Sequence, residues 1–323
     1  MIKVLPTVSI LIPAFNCSEW IDASIQSALD QTYPKVEIIV IDDGSSDDTF
    51  AKAKKYVSDK VLVETQNNSG ASSARNHALK YAHGDWVQFL DADDVLDPKK
   101  IELQMELARI NGSRFLYSAD WGRFRDDISE AKFAESELLA DMQPIEWLIK
   151  KYHTHDMVQP GAWLVHRDLI SEAGMWDVRL SLNDDGEFFD RLIMHSDGVR
   201  YVSGAKAYYR THISGNLSAR ENKSAAISAL LAIDLCTARL LAKDSSIKAL
   251  KACASQYQRY AYQFYPKHEL LAEHAYAKAL SLGLEDIPFP GSEAARKISR
   301  FLGWRKTRML QYYYYRMRYK HSF

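Results

Sequence analysis

Residues 36–47 read VEIIVIDDGSSD. Val36–Ile41, apolar but for Glu37, reads as a strand, it stops on two acids, and Gly44-Ser45-Ser46 turns the chain toward a helix starting near Asp47. The same unit recurs on both sides. Upstream, Val8–Ile12 is continuously apolar and closed by Pro13, the pattern of a strand buried on both faces. Ile21, Ile25, Ala28 and Leu29 then follow at helical spacing, with Ser18 placed to cap and Tyr33-Pro34 to end the helix. Downstream, Val61–Val63 predicts a third strand, Asn67-Asn68-Ser69-Gly70 a loop, and residues 71–82 a helix. Gly84-Asp85 turns into a fourth strand, Trp86–Leu90, and Asp97 with Pro98 opens another helix.

This β-α-β-α-β-α-β order with short connections predicts a mostly parallel, Rossmann-like sheet with helices on both faces. Such sheets bind ligands outside the carboxyl ends of their strands. Pro13–Asn16, Asp42–Asp43 and Asp91–Asp94 all fall there. The first βα turn lacks G-x-G-x-x-G, and no G-x-x-x-x-G-K-[ST] occurs, so neither a dinucleotide fingerprint nor a P-loop is present. Further on, Arg114–Ser118, Val199–Val202 and Ala207–Tyr209 read as strands, and Pro144–Tyr152, Arg167–Ala173 and Asp185–Met194 as helices. From about Glu221 the pattern is helical throughout. The expected organisation is an α/β domain over residues 1–219 and a helical region over 220–323.

Composition bounds the function. The chain has 323 residues, 47% of them hydrophobic, enough for a sizeable core. A net charge of −1 does not suit a nucleic-acid partner. Cys17, Cys236 and Cys253 have neither metal-site nor disulfide-framework spacing, which points to a reducing, cytoplasmic compartment. The apolar run at the N-terminus is too short for a signal segment or a membrane span, and no other stretch reaches about 18 apolar residues.

Chemistry concentrates in FLDADD, residues 89–94, where Asp91, Asp93 and Asp94 crowd the end of the fourth strand. Like charges this close repel unless something positive stands between them. If the strand continues, Asp91 and Asp93 face the same side. Two carboxylates at a ligand-binding edge suit Mn²⁺ or Mg²⁺ with open positions for phosphate oxygens. A solvated acidic turn that caps the next helix is the other reading.

VSILIPAFN, IVIDDGSSDDT, NSGASSARN and FLDADD, in this order and spacing, resemble the inverting family-2 glycosyltransferases with the GT-A fold. The similarity covers roughly residues 7–216 and extends to GAWLVHRDLISEAGMWD, LSLNDDGEFFDRL and YYRTH. The resemblance implies a nucleotide-diphosphate-sugar donor, a D-x-D metal site and a later catalytic base. Asp43 would accept the ring N–H of uracil, and Asp91 would face ribose or metal-bound water. Asp93 would hold the metal. Pro13, Phe15 and Asn16 follow the first strand; Phe15 either packs on the base or joins the core. Arg75 is a forked cation suited to the diphosphate or to the second-strand acids. In the family an acidic pair precedes a helix and its second member is the base. Here the pair is Asp184-Asp185, which points to Asp185, with Asp184 as the alternative. His212 would reach diphosphate or metal, and Trp163 and Trp176 would line an acceptor sugar pocket.

A non-catalytic nucleotide-sugar binding protein would share this donor site. A sugar nucleotidyltransferase would carry a Gly-rich basic loop where this chain has PAFNCSEW. The tail, RKISRFLGWRKTRMLQYYYYRMRYK over 296–320, interleaves cations with apolar and aromatic residues and contains no acid. That composition suits an anionic membrane surface. It fits peripheral attachment at the inner face of a membrane and a glycan or lipid-linked acceptor in surface polysaccharide synthesis.

Overall fold

The structure, a computed structural model, describes residues 5–133, 135–211, 222–283 and 292–318. The expected alternation forms as β1 (Val8–Ala14), α1 (Ile21–Leu29), β2 (Val36–Asp42), α2 (Thr49–Ala53), β3 (Val61–Thr65), α3 (Ala71–Tyr81) and β4 (Trp86–Phe89). β5 (Val95–Leu96), α4 (Lys100–Asn111), β6 (Phe115–Phe124), β7 (Lys132–Phe133) and α5 (Pro144–Thr154) follow. Next come β8 (Val165–His166), α6 (Arg167–Ala173), α7 (Asp184–His195) and β9 (Gly198–Arg210). Helices α8 (Lys223–Lys243), α9 (Ile247–Phe264), α10 (Glu269–Ser281) and α11 (Glu293–Arg318) complete the described chain.

The main sheet has the order β3-β2-β1-β4-β8, parallel except for β8. β1 therefore has β2 on one side and β4 on the other, so successive connections leave it in opposite directions. The carboxyl ends of β1 and β4 form the switch point where such sheets open a ligand crevice. A second sheet, β5-β9-β6-β7, extends the fold, with long β6 and β9 running parallel. The main core consists of the continuous apolar faces of β1, β2 and β4 with α1, α3 and α4, and it includes Cys236, Leu240 and Cys253 of α8 and α9. A smaller core joins α8–α11. Helix α8 is long and apolar enough to cross a membrane, but more than half of its most apolar window is buried between these cores.

Several local expectations are corrected. Strand β4 ends at Phe89, and the Asp94 N–H donates to the Asp91 carbonyl at 3.0 Å, so the acids lie on a turn and not on one face of a continuing strand. Ser18 does not cap α1, whose N-cap is Trp20. The Asp97-Pro98 helix starts later, at Lys100, because the Asp97 side chain closes a turn onto the Lys99 N–H. The two short strands near 199–209 are one strand, β9, interrupted opposite Ala119/Asp120 by a bulge at which Gly204 takes φ +86°. The proposed boundary at 219/220 lies outside the described residues.

Candidate active site

A cleft of about 590 Å³ opens over the β1–β4 switch point and is lined by residues of six connecting segments, a size suited to a small-molecule ligand. On its nucleotide side, Asp43 is buried at the end of β2. Its carboxylate accepts from Gln66 Nε2 at 2.7 Å, from the Ser69 N–H at 2.8 Å and from the Gly70 N–H at 2.8 Å. Asp43 thus anchors the N-terminus of α3. Two carboxylate oxygens offer about four acceptor positions, so one remains for a ligand N–H. Gly44 makes this junction possible: it takes φ +73°, and a Cβ there would lie 2.9 Å from the Asn68 nitrogen. Asn16 takes φ +47°, and its Oδ1 accepts from the Ser46 N–H at 2.8 Å, tying the loop after β1 to the loop after β2. Pro13 lines the same wall. Phe15 is 45% exposed at the cleft, so its ring is available to a ligand and does not belong to the core.

At the centre, buried Arg75 projects from α3. Its Nη2 donates to Asp91 Oδ1 at 2.8 Å and its Nη1 to Asp184 Oδ2 at 2.9 Å. Its guanidinium lies 4.3 Å from the Trp176 ring centroid. Arg75 thus joins two acidic turns more than ninety residues apart, and among the described residues its guanidinium bonds these acids and neither of the second-strand acids. In the first turn, burial and then Asp91 push Asp93 up to about 6. Burial, then Asp93 and Asp91, raise Asp94 well above the ordinary carboxylate range. Asp94 Oδ1 accepts from the Arg210 N–H at 2.8 Å, while Oδ2 is buried with no hydrogen-bond partner among the described residues.

The second turn separates the two base candidates. The Asp184 carboxylate holds Arg75 and accepts from Ser72 Oγ at 3.0 Å. Asp185 lines the cleft, and its Oδ1 accepts from the Gly186 N–H at 2.8 Å. Burial and then Asp184 push Asp185 up to about 6, while Gly186, Arg75 and Lys151 pull it back. Asp184 is therefore engaged as an ion-pair partner, and Asp185 keeps a carboxylate poised near neutrality.

The loop carrying these acids is held from behind by α8. Ser228 Oγ accepts from the Ser181 N–H at 2.8 Å and the Leu182 N–H at 3.0 Å, and donates to the Leu182 carbonyl at 3.0 Å. Asn183 then takes φ +61° before α7 begins. Inside α7, Glu187 is fully buried and pairs with Arg191 at 2.9 Å and with Arg239 of α8 at 2.6 Å. Lys151 pairs with Asp190, whose other oxygen accepts from Tyr152 at 2.9 Å. Ser72, Lys151 and Ser228 were not among the expected residues. Ser72 is one small polar residue among several on its helix, and Ser228 sits in a helix whose pattern reads only as apolar.

Other expected residues fall differently. Trp163 is core material, stacked on Phe189 at 5.5 Å and edge-on to Trp147, and does not line an acceptor pocket. Trp176 is also buried; it stacks on Phe188 at 4.1 Å and supports Arg75. His212 lies outside the described residues. Among the described residues no group of three or more His, Cys, Asp or Glu side chains is placed to hold a metal ion. The turn does fit a cation completed by substrate phosphates: it supplies hard oxygen donors, and Asp93 sits where burial and Asp91 disfavour the charge that a cation would relieve.

Comparison with known proteins agrees with this architecture. Two Escherichia coli relatives are UDP-Glc:alpha-D-GlcNAc-diphosphoundecaprenol beta-1,3-glucosyltransferases. WfgD is 41% identical over 111 residues, covering 34% of this chain and 44% of its own length. WfaP is 43% identical over 113 residues, covering 34% and 45%. The chain thus matches under half the length of these relatives. The structure of S. aureus TarS 1-349 in complex with UDP-GlcNAc superposes with a TM-score of 0.64 at 15% identity, over 92% of each chain. The mannosyltransferase PcManGT from Pyrobaculum calidifontis, in complex with GDP-Man and Mn²⁺, gives 0.58 at 16% identity, over 96% of this chain and 85% of its own. These likenesses bear out the GT-A arrangement with its helical C-terminal region. The model for "Glycosyl transferase family 2" matches residues 9–173, just over half of the sequence, and the chain belongs to that family.

Proposed function

We propose that the protein is an inverting glycosyltransferase that moves a sugar from a UDP-sugar to a hydroxyl group of a glycan or lipid-linked acceptor, at the cytoplasmic face of a membrane, during surface polysaccharide synthesis. The observation that carries this reading is the division of labour around Arg75. One acid of each turn is tied up by the guanidinium, and another, Asp93 in the first turn and Asp185 in the second, faces the cleft with its carboxyl pushed up to about 6.

Inversion is a single displacement. The acceptor oxygen bonds to the anomeric carbon, the bond from that carbon to the diphosphate oxygen breaks, and the hydroxyl proton passes to the base. Asp185 takes that proton. A base poised just below neutral pH is mostly ionised yet still competent to accept a proton. Phe15 stacks on the base of the nucleotide, and the remaining acceptor position of Asp43 takes the uracil N–H. Asp93, with Asp91 beside it and His212 contributing from its own segment, would hold Mn²⁺ or Mg²⁺, which as a Lewis acid neutralises charge on the departing nucleoside diphosphate. Arg75 holds the two turns in register. The relatives named as glucosyltransferases acting on a diphosphoundecaprenol-linked sugar support the donor and the acceptor class.

The test is UDP release from UDP-sugars by the purified chain, with and without an undecaprenyl-diphosphate-sugar acceptor, across a Mn²⁺ titration and with chelator. Acceptor-stimulated, chelator-sensitive release is expected. UDP binding without any release would leave a nucleotide-sugar binding protein instead.

A further inference from the structure

Helix α11 has two unlike faces. Its inner face is pinned to the helical bundle: Trp304 is buried with its ring 4.9 Å from Tyr276, 5.0 Å from Tyr262 and 5.3 Å from Tyr265. Arg305 makes two hydrogen bonds to Glu273, and Arg308 Nε donates to the Tyr262 carbonyl at 2.6 Å. Its outer face carries Lys306, Met309, Leu310, Tyr313 and Met317, at the i, i+3, i+4, i+7, i+11 spacing of one helical stripe. Leu310 is 58% and Met317 70% exposed. An amphipathic helix ordinarily turns such a stripe inward, and here the inward side is already occupied by Trp304 and Thr307. Gly303, at φ +76°, breaks the helix, and the segment before it presents Ile298, Leu302 and 90%-exposed Phe301.

We infer that this outer face of α11 is a docking surface for an anionic lipid bilayer. The choice of occupant follows from charge. Arg296, Arg300 and Lys306 are exposed alongside the apolar residues, and no acid occurs from Ala294 to Arg318. A second copy of the chain on the same face would bring cation against cation. A lipid surface instead takes apolar and aromatic side chains at headgroup depth and meets the cations with phosphate. With a net charge of only −1 over the whole chain, this concentration of cations is local to the tail. The inference deepens the proposed function by giving the enzyme a means of reaching a lipid-linked acceptor. It rests on the surface of α11 and not on the chemistry of the cleft.

The experiment is co-sedimentation of the full chain with mixed phosphatidylglycerol–phosphatidylcholine vesicles and with pure phosphatidylcholine vesicles. Two variants are compared: Phe301→Ser/Leu310→Ser/Met317→Ser, and Arg300→Glu/Lys306→Glu. Every substituted side chain is exposed, and circular dichroism with UDP affinity confirms that each variant is folded. The wild-type chain is expected to bind the anionic vesicles, less so as salt rises, and each variant to bind about tenfold or more weakly. No binding to anionic vesicles, or binding that both variants leave unchanged, overturns the inference. A dimer in sedimentation velocity that the triple-serine variant dissociates also overturns it, by showing that a second copy covers the face. Binding is read without turnover, so its failure leaves the transferase reading standing, and failure of sugar transfer leaves the lipid result standing.

Discussion

The turn at Asp91–Asp94 and the turn at Asp184–Asp185 share one guanidinium and part ways around it. Each gives one carboxylate to Arg75, Asp91 at 2.8 Å and Asp184 at 2.9 Å, and each leaves another carboxyl near 6. The first turn adds a third acid, Asp94, also raised; its carboxylate accepts from the Arg210 N–H, and the Asp93 carbonyl accepts from Arg210 Nε. The second sits at the start of α7 with the ammonium of Lys151 behind it. In the proposed function, the three crowded acids of the first turn take a cation from the ligand side in addition to Arg75 and Arg210. In the same proposal the second turn, with Asp184 paired to Arg75, leaves Asp185 to exchange a proton, so that similar pKa values serve different chemistry.

The most severe way to break this comparison is to remove what the turns share. Arg75→Met leaves Asp91 and Asp184 half-buried without their partner, and breaking a buried pair costs about 3–5 kcal/mol. Denaturant unfolding should show a loss of that order together with loss of turnover. Next, Asp93→Asn should lower turnover by about 10³-fold and make UDP affinity insensitive to chelator. Undiminished metal-dependent UDP binding in that variant would move the cation elsewhere.

A pH series sharpens the contrast. Both carboxyls are raised from 3.8 to about 6, so the folded chain takes up protons near pH 6 that the unfolded chain takes up only near 4. For these two groups, stability rises as pH falls from about 6 toward 4. Turnover does the opposite: once pH is below about 6, kcat/KM should fall about tenfold per unit as Asp185 is protonated. Activity and stability moving together would contradict the assignment. The smallest expected effect comes from Ser228→Ala, which frees the loop of Ser181 and Leu182. It should cost about 1 kcal/mol of stability and about tenfold in kcat, with UDP affinity unchanged.

Much of the nucleotide half was readable from the chain because its strands are apolar on both faces and end abruptly on acids or Pro. The pattern did not reveal where pairing stops. FLDADD reads as a strand running into Asp93, but β4 ends at Phe89 and a backbone hydrogen bond folds the acids into a turn. Asp184 and Asp185 are indistinguishable by type, and they separate only when Arg75, 109 residues earlier, takes Asp184. Trp163 and Trp176 carry the aromatic signature of a sugar pocket, yet tertiary packing against Phe188 and Phe189 buries both. The contribution of α8 was invisible, because a Ser set among apolar helix residues gives no sign of what it faces.

The most direct test of the account is Asp185→Asn set against Asp184→Asn, with kcat and UDP affinity measured for each. Asp185→Asn should lower kcat by about 10²-fold or more, abolish the acid limb near pH 6 and leave UDP affinity intact. Asp184→Asn should instead reduce stability, because it removes the carboxylate paired with Arg75. Full activity in Asp185→Asn, with the acid limb retained, would contradict the claim that Asp185 is the base.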